Sequence, residues 1–286
     1  MRIDLHTHST ASDGTTSPVE LVHAAARAGL DVVALTDHDT TAGWAAATSA
    51  LPAGLTLVPG AELSTVWPTP DGRVIGMHLL AYLFDPAEPL LRAERARVRE
   101  GRTVRAQRMI ELMQADGHPV RWDDVLAEAA GGPVGRPHVA RALVRHRLVA
   151  DVAAAFTRDW IGSGGRYRVV KPDTDVRAAI RMVRAAGGVP VVAHPLAAAR
   201  GELVPEESYA EMAAAGLAGL EADHADHDPA ARARVREIAA DLGLFVTGSS
   251  DFHGANKSVA LGECTTDPQV YEQLVAEAGG SAPVAA

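Results

Sequence analysis

Two hydrophobic patterns alternate along the chain. Short runs of β-branched and aliphatic residues are followed by alanine-rich segments in which apolar residues recur every three or four positions. The first pattern is typical of buried strands and the second of amphipathic helices, so their alternation predicts a mostly parallel α/β sheet, closed as a barrel or open. The predicted strands are Ile3–Leu5, Val32–Leu35, Leu55–Val58, His78–Tyr82, Val189–Ala193, Leu217–Leu220 and Leu244–Thr247. The predicted helices are Pro18–Ala28, Thr41–Ala50, Thr174–Ala186, Glu206–Ala215, Pro229–Leu242 and Gln269–Glu277.

One segment interrupts this alternation. From Pro89 to Tyr167 the pattern is helical throughout, which predicts a helical insertion, 89–167, in a barrel domain formed by residues 1–88 and 168–286. Near its start, the stretch from Arg92 to Arg108 holds seven arginines and two glutamates, a local charge of +5. Such a run is typical of a solvated helix face, and it equally suits a cap that binds an anion. At the end of the chain, the tail "GGSAPVAA" is expected to be frayed.

Composition narrows the class of protein. The 286 residues are 47% hydrophobic, enough for one large α/β domain or one domain with an insertion. A formal net charge of −9 argues against a stable complex with long nucleic acids but allows a small anionic substrate in a local positive site. The single cysteine, Cys264, excludes an internal disulfide framework and a cysteine-rich zinc site. Without a signal-like N-terminus or an apolar run of membrane length, we expect a cytoplasmic protein with no membrane partner.

Histidines or carboxylates accompany every predicted strand, mostly at its C-terminal end, where ligands bind in parallel α/β folds. His6 and His8 are one residue apart, so they share a face of an extended strand. Two adjacent imidazoles need compensation, and a metal ion is the first candidate, with a polar strand end as the alternative for this pair alone. Histidine and carboxylate donors without thiolate suit manganese, iron or zinc. The residues of this kind are His6, His8, Asp13, Asp37, His38, Asp39, Glu62, His78, His194, Asp251 and His253.

Four short motifs occur in order along the chain. They are "DLHTHS" at Asp4–Ser9, "LTDHD" at Leu35–Asp39, "AHP" at Ala193–Pro195 and "SSDFH" at Ser249–His253. With these motifs the chain resembles the polymerase and histidinol phosphatase (PHP) family of metal-dependent phosphoesterases over nearly its whole length. The resemblance implies a distorted (β/α)7 barrel, carrying the inserted helical cap here. It also implies three divalent metals per chain, with manganese the first choice and iron or zinc the alternatives.

The ligands of each metal are implied by matching the motifs of the family residue by residue. The first metal takes His6, His8, Glu62 and Asp251, the second takes Glu62 as a bridge with His78 and His194, and the third takes Asp13, His38 and His253. Several relatives have histidine in place of Asp13. With Asp13 in "SDGTTSP", the chain is similar to the subgroup that removes the 3'-phosphate from nucleoside 3',5'-bisphosphates. That subgroup also has a helical insertion and a "GRPH" stretch, here Gly135–His138.

The expected activity is hydrolysis of the 3'-phosphate of such nucleotides, and also of short oligoribonucleotides from the 5' end. Three divalent cations with three carboxylates and one hydroxide leave a charge of about +2 to attract a phosphate, and metal-bound hydroxide attacks without a serine, cysteine or histidine nucleophile. The alternatives are a histidinol-phosphate phosphatase and a non-catalytic, metal-stabilised module. An arginine-rich cap argues against the cationic histidinol substrate, and an apparently complete ligand set argues against the module.

Residues outside the ligand set have open roles. Arg136 and His138 flank Pro137 at a predicted helix start, where free N–H groups favour a phosphate; helix capping or a salt bridge is the alternative. Asp37 and Asp39 are candidates to orient metal-bound histidines, with capping of the next helix as the alternative for Asp39. The candidates for contacts to the second phosphate or the base are Arg102, Arg105 and Arg108. His224 and His227 could equally line the site or lie in a polar loop.

Overall fold

The computed structural model of the protein describes residues 1–129 and 131–286. Within these residues the strands are β1 (Ile3–Asp4), β2 (Val32–Leu35), β3 (Thr56–Pro68), β4 (Val74–Tyr82), β5 (Thr174–Asp175), β6 (Val189–Val192), β7 (Gly219–Asp223), β8 (Phe245–Gly248) and β9 (Val284–Ala285). The α-helices there are α1 (Pro18–Arg27), α2 (Trp44–Ser49), α3 (Pro89–Ala115), α4 (Trp122–Ala129), α5 (Arg136–Arg145), α6 (Val152–Ala155), α7 (Val176–Ala185), α8 (Ser208–Ala214), α9 (Pro229–Leu242) and α10 (Pro268–Glu277). No helix in these two ranges is both long and apolar enough to cross a membrane.

These elements form two compact units. The first comprises Met1–Arg95 and Thr174–Ala286, and the second comprises Ala96–Asp173. Both boundaries are displaced towards the C-terminus from those of the predicted insertion, 89–167. The reason at the first boundary is that α3 begins inside the first unit, where Leu91 is buried and Arg95 donates a hydrogen bond to the carbonyl of Pro86 at 2.9 Å. That the second unit acts as a substrate-binding cap stays a prediction.

The first unit is built on a nearly closed sheet. Its strands follow the order β1-β2-β3-β4-β6-β7-β8, with β5 and β9 added to β3. A parallel bridge joins Thr7 to Phe252, and the His8 N–H donates to the Phe252 carbonyl at 2.8 Å. These contacts bring the chain after β1 against the chain after β8. The predicted barrel-like α/β architecture is therefore present.

Strands β3 and β4 depart from the predicted parallel sheet. They form a long antiparallel hairpin, and β4 also pairs antiparallel with β6. The predicted strand ends at Val58, before Pro59-Gly60, a pair of residues that is normally a turn signal. In the structure Gly60 lies inside β3, where a Cβ would come within 3.0 Å of the Thr36 side chain and 3.1 Å of the Ala81 carbonyl. Glu62 and His78 consequently project from within strands rather than from strand ends.

The helices of the first unit begin and end close to their predicted positions. Helix α1 opens with a capping box in which the Glu20 N–H donates to Ser17 Oγ at 3.2 Å and the Ser17 N–H donates to Glu20 at 2.9 Å. Helix α9 has the predicted bounds, since Asp228 caps its start and Gly243, at φ 67°, ends it. Helix α7 buries its apolar face, which includes Ile180 and Val183, against the sheet. These helices fix the strand ends that carry the site.

The C-terminal tail is ordered, so the prediction of a frayed end was wrong. Strand β9 pairs antiparallel with the start of β3, Thr56 opposite Ala285 and Leu57 opposite Val284. The Ser281 N–H also donates to the carbonyl of Leu83 at 2.6 Å. The tail thus pairs with the part of β3 that precedes its hairpin with β4. A tertiary partner orders a segment that has no strong pattern of its own.

The second unit is helical and has its own apolar core. In it, α3 packs with α4, α5 and α6 through buried side chains that include Met109, Met113, Val125, Val139 and Leu143. Residues 96–173 contain 14 Arg and Lys against nine Asp and Glu, a formal charge of +5. The remaining residues, which form the first unit, carry −14. The two units therefore differ sharply in charge.

Candidate metal centre

The nine predicted metal ligands lie together in the first unit. Eight of them are buried and His78 is half-buried. Their donor atoms form clusters in which all atoms lie within 4.8 Å of one another. The clusters are His6, His8, Glu62 and Asp251; His38, Glu62 and His78; and His8, Asp13, His38 and His253. His194 lies beside the second cluster, with Nε2 at 3.3 Å from Glu62 Oε1.

The first cluster has the donor spacing of a metal site. The Nε2 atoms of His6 and His8 are 3.0 Å apart, and Asp251 Oδ1 is 3.3 Å from each. Four ligands about 2.1 Å from one ion in a tetrahedral arrangement lie about 3.4 Å apart. Two neutral nitrogens this close repel each other through their lone pairs unless a proton or a cation lies between them. The arrangement fits a divalent metal.

Glu62 connects two clusters through its two oxygens. The nitrogens at 3.0–3.2 Å from Oε2 are His6 Nε2, His8 Nε2 and His38 Nδ1. The nitrogens nearest Oε1 are His78 Nδ1 at 2.7 Å and His194 Nε2 at 3.3 Å. Burial alone would raise the pKa of Glu62, but the imidazoles of His78 and His38 outweigh it and hold that pKa well below its usual range. An ionised carboxylate with donors on both sides suits a bridge between two metals.

The third cluster surrounds Asp13. Asp13 Oδ1 is 3.4 Å from His253 Nε2, and Oδ2 is 3.7 Å from His38 Nε2. His253 donates from Nδ1 to the Asp251 carbonyl at 2.8 Å, which leaves the Nε2 lone pair of a neutral ring for a metal. His8 Nδ1 is buried without a hydrogen-bond partner, 3.9 Å from Asp13 Oδ1. A neutral imidazole has one lone pair, so His8 fits the first cluster through Nε2 and carries its proton on Nδ1.

Known proteins share both the sequence and the fold. The profile of the PHP domain matches residues 4–114. A 5'-3' exoribonuclease of Haemophilus influenzae is 35% identical over 92% of this chain and 93% of its own length. A 3',5'-nucleoside bisphosphate phosphatase of Chromobacterium violaceum is 33% identical over 88% of this chain and 87% of its own length. The chain belongs to the PHP family.

The PHP assignment extends to the three-dimensional structure. A Bifidobacterium adolescentis protein, described as a metal-dependent phosphoesterase, has a crystal structure that superposes with a TM-score of 0.89 and 36% identity. The match covers 97% of this chain and 96% of that one. This PHP protein is therefore a metal-dependent phosphoesterase, and the predicted family, barrel fold and hydrolase class are confirmed. Its histidine and carboxylate clusters fit divalent metals.

In the metal-free PHP centre, the protonation states of His8 and His194 differ. Burial disfavours a charged His8 ring, but the Asp251 and Glu62 carboxylates beside it raise the pKa of His8 to about 9. Burial, together with the guanidinium of Arg200, lowers the pKa of His194 to about 3. His194 is therefore neutral near pH 7 and ready to bind, whereas a metal must displace a proton from His8.

Two residues of the centre have an unusual backbone. His194 has φ 33° and Asp251 has φ 52°, in the left-handed region that non-glycine residues rarely adopt. Each such conformation costs about 1–3 kcal/mol and persists only where the surrounding structure holds it. Both residues follow strand ends, β6 and β8, and the sharp turn aims their side chains into the clusters. The strain coincides with the site.

Asp37 and Asp39 support the backbone around the centre. Asp37 accepts hydrogen bonds from the Ser9 N–H at 2.8 Å and from the Ser12 hydroxyl at 2.6 Å, which fixes the loop before Asp13. Asp39 accepts from the N–H and hydroxyl of Ser64, at 2.8 and 2.9 Å, and so ties the segment of His38 to β3. The alternative of capping by Asp39 was wrong, because the N-cap of α2 is Gly43.

Further charged residues meet Asp251 from the loops after β6, β7 and β8. Asp251 Oδ2 accepts from Arg200 at 2.7 Å and from Lys257, and it lies 3.2 Å from His224 Nε2. Arg200 and Lys257 stand in no motif and were not predicted. His224 thus lies at the centre. His227 instead accepts from the Leu196 N–H at 3.1 Å and donates to the Ala222 carbonyl at 2.8 Å, so it holds a loop.

The predicted substrate residues lie in the second unit. His138 Nδ1 accepts a hydrogen bond from the Gly135 N–H at 2.8 Å. This contact is the helix capping that was predicted as the alternative to a phosphate contact. The Arg136 guanidinium lies over the Phe156 ring, 5.5 Å from its centroid. The arginines of α3 among the candidates are Arg102, which is buried, Arg105, which is half-buried, and Arg108, which is exposed and pairs with Glu111 at 2.7 Å. Their role in substrate binding stays a prediction.

Sequence reasoning missed two buried carboxylates. Asp4 accepts from the N–H groups of Ser250 and Gly262, at 3.0 and 2.8 Å, and so anchors the start of the last motif. Glu221 lies 3.0 Å from His6 Nδ1. The available signal for Glu221 was an acidic residue between two apolar residues, Leu220 and Ala222, inside a strand. Burial of a carboxylate there requires charged or hydrogen-bonding partners.

Proposed function

We propose that this protein removes the 3'-phosphate from nucleoside 3',5'-bisphosphates with three divalent metals, manganese being the first choice. The observation that carries the proposal is the position of Asp13. Its two oxygens face His253 and His38, where a third metal would be held by an aspartate rather than by histidine. The Chromobacterium violaceum relative, which is named for this substrate, supports the same proposal.

The charge of the proposed ligand set favours an anionic substrate. In this assignment His6, His8 and Asp251 hold the first metal with Glu62, which also serves the second. Three carboxylates among the ligands against three divalent ions leave an excess of about +3. Bound metals would lower the pKa of water towards neutrality and neutralise charge on the phosphoryl oxygens. Two half-buried cations, Arg200 and Lys257, adjoin the same centre and add to the attraction.

The residues of the first unit hold and orient these groups. Glu62 keeps two clusters within the reach of one side chain, and the hydrogen bond from His253 to the Asp251 carbonyl fixes the free nitrogen of that ring. Burial of the ligands excludes bulk water and strengthens each electrostatic interaction. This chemistry requires no nucleophilic side chain from the protein.

The second phosphate or the base would be bound by the insertion. The positive charge of residues 96–173, +5 in a chain of −9, supports this assignment. The proposed contacts are Arg102, Arg105, Arg108, Arg136 and His138. For His138 the contact would use Nε2, because Nδ1 accepts from Gly135. Arginine suits this role because its planar fork matches phosphate oxygens.

Short oligoribonucleotides are a second proposed substrate, processed from the 5' end. The Haemophilus influenzae relative is named as a 5'-3' exoribonuclease and aligns with almost the whole chain. Removal of a 3'-phosphate and cleavage of a phosphodiester on the 3' side of a 5'-terminal nucleotide break the same kind of bond. One centre therefore serves both reactions.

A comparison of substrates tests the proposal. Protein loaded with Mn²⁺ is given adenosine 3',5'-bisphosphate, a 5'-phosphorylated trinucleotide and histidinol phosphate, and the products are identified. We expect adenosine 5'-phosphate and inorganic phosphate from the first substrate. Turnover of histidinol phosphate alone would replace the proposed substrate with that one. Metal that raises Tm without phosphate release from any of the three would favour a non-catalytic module.

A further inference from the structure

Glu221 is a buried, charged residue at the metal centre that lies outside the proposed ligand set. It stands in the middle of β7 between Leu220 and Ala222, and all three residues are fully buried. A charge in such a position is retained only where specific partners repay its desolvation.

The partners of Glu221 come from three of the four sequence motifs. Its Oε1 lies 3.0 Å from His6 Nδ1 and accepts a hydrogen bond from the Ser249 hydroxyl. Its Oε2 accepts from the backbone N–H of His194 at 2.8 Å. His6 belongs to "DLHTHS", His194 to "AHP" and Ser249 to "SSDFH". One carboxylate thus ties together segments that are far apart in the sequence.

The contact between Glu221 and His6 determines which ring nitrogen of His6 can bind a metal. A neutral imidazole carries one proton, and donation from Nδ1 to Glu221 leaves the lone pair on Nε2. That Nε2 lies 3.2 Å from Glu62 Oε2 and 3.3 Å from Asp251 Oδ1, in the first cluster. A carboxylate acceptor on the opposite nitrogen also makes an imidazole a stronger metal ligand.

The contact with His194 acts through the backbone. His194 has φ 33°, and the hydrogen bond from its N–H holds this strained turn. The turn places His194 Nε2 at 3.3 Å from Glu62 Oε1, beside the second cluster. The same carboxylate is therefore coupled to two clusters.

We propose that Glu221 is a positioning residue that fixes the Nδ1–H form of His6 and the backbone of His194 so that both can bind metal. This rests on the proposed function only in taking His6 and His194 as metal ligands. Loss of the carboxylate charge should weaken metal binding without removing a ligand.

Glu221→Gln tests this role, since it preserves the size of the side chain and removes its charge. Metal affinity is measured by calorimetry with Mn²⁺ and Zn²⁺ on chelator-treated protein, alongside Tm of the metal-free variant. We expect the affinity to fall about 10- to 100-fold, as for other groups that orient ligands. The exposed Glu272→Gln is the matched control and should bind as the wild type does. Wild-type affinity in Glu221→Gln would overturn the proposal.

A second measurement needs no variant and so does not depend on the folding of Glu221→Gln. Nitrogen NMR of histidine-labelled, zinc-loaded wild-type protein reports the protonation of each ring nitrogen. We expect His6 to be protonated on Nδ1 and metal-bound through Nε2. The opposite tautomer would contradict the proposal. Neither readout involves substrate, so an inactive protein that binds metal in this way would defeat the proposed function and leave the role of Glu221 standing.

Discussion

Five imidazoles converge on the single carboxylate of Glu62, which is itself almost completely buried. They are those of His6, His8, His38, His78 and His194. Interactions on both oxygens make Glu62 the carboxylate that two of these clusters share. Loss of Glu62 should therefore affect two of the proposed metals, whereas loss of a ligand that binds a single metal should affect one.

Substitution Glu62→Gln removes the shared negative charge and replaces one oxygen with a donor group. We expect it to lower the metal content by more than one ion per chain and phosphate release by more than about 100-fold, because a lost ligand costs more than a lost orienting group. Metal analysis and phosphate assay provide the measurement. Glu272→Gln, at an exposed position, controls for effects of protein preparation and metal loading. Full metal content in Glu62→Gln would refute the bridging role.

Proton release on metal binding follows from the pKa of His8. That pKa is raised from its ordinary 6.5 to about 9, so His8 in the metal-free protein is protonated near neutral pH. The raised value stabilises the folded metal-free chain below 6.5, and this contribution is lost as the pH rises through 9. A metal needs the neutral ring, so its affinity should increase with pH up to about 9.

Calorimetry at pH 7.5 in two buffers with different ionisation enthalpies measures this effect. We expect the observed heat of metal binding to differ between the buffers by an amount that corresponds to at least one released proton per chain. Equal heats in the two buffers would show that His8 was already neutral.

At the scale of elements, local signals account for those features that the sequence predicted well. Helix α9 was predicted at both ends because Asp228, Pro229 and Gly243 mark its start and end. The full hairpin of β3 and β4 was not predicted, because Pro59-Gly60 suggests a turn and only its packing keeps it extended. Strand β9 has no periodic pattern and depends on a partner more than 200 residues away.

The same distinction applies to the centre. The ligands His6 with His8 and Asp251 with His253 could be identified because the members of each pair stand one residue apart in the sequence. Glu221 could not, since its contact with His6 joins residues 215 positions apart. The grouping of ligands around the two oxygens of Glu62 likewise depends on tertiary structure. The family resemblance implied part of it but did not place His38 beside Glu62.

Removal of Ser281–Ala286 tests the pairing of β9 with β3. The truncation loses the Ser281 hydrogen bond to Leu83 and the ladder opposite Thr56 and Leu57. Two or three hydrogen bonds at about 1 kcal/mol each lower the stability by about 2–3 kcal/mol. This corresponds to a fall in Tm of about 4–12 °C.

The matched control deletes Ala286 alone, which leaves β9 intact. Its Tm should equal that of the full chain when both are measured with the same metal content. An unchanged Tm in the longer truncation would show that the tail does not contribute to the fold.

At the scale of the whole molecule, charge is divided between the two units, −14 in the first and +5 in the second. In the proposed function, bound metals would offset the repulsion of a nucleotide by the acidic first unit, and Arg200 and Lys257 adjoin the same centre. In the same proposal, the basic second unit would attract the second phosphate or the base of the nucleotide.

Substitution Arg102→Gln tests the contribution of the second unit. A contact that is equally strong in the ground and transition states changes KM and leaves kcat nearly unaltered. We expect KM for adenosine 3',5'-bisphosphate to rise about 10-fold or more, the effect of one charged hydrogen bond. Arg145→Gln is the control in the same unit, since Arg145 is exposed and lies 3.6 Å from Glu128. Unchanged KM in variants of all five proposed contacts, Arg102, Arg105, Arg108, Arg136 and His138, would remove the insertion from substrate binding.

The proposed reaction is tested most directly by phosphate release from adenosine 3',5'-bisphosphate, measured on protein that has been treated with chelator and then reloaded with Mn²⁺. Wild type and Asp13→Ala are compared, with the position of the lost phosphate determined in the product. We expect no release without metal, adenosine 5'-phosphate as the product with metal, and strongly reduced release in Asp13→Ala. Release that survives complete removal of metal, or a metal-loaded wild type that leaves the 3'-phosphate in place, would contradict the proposed reaction.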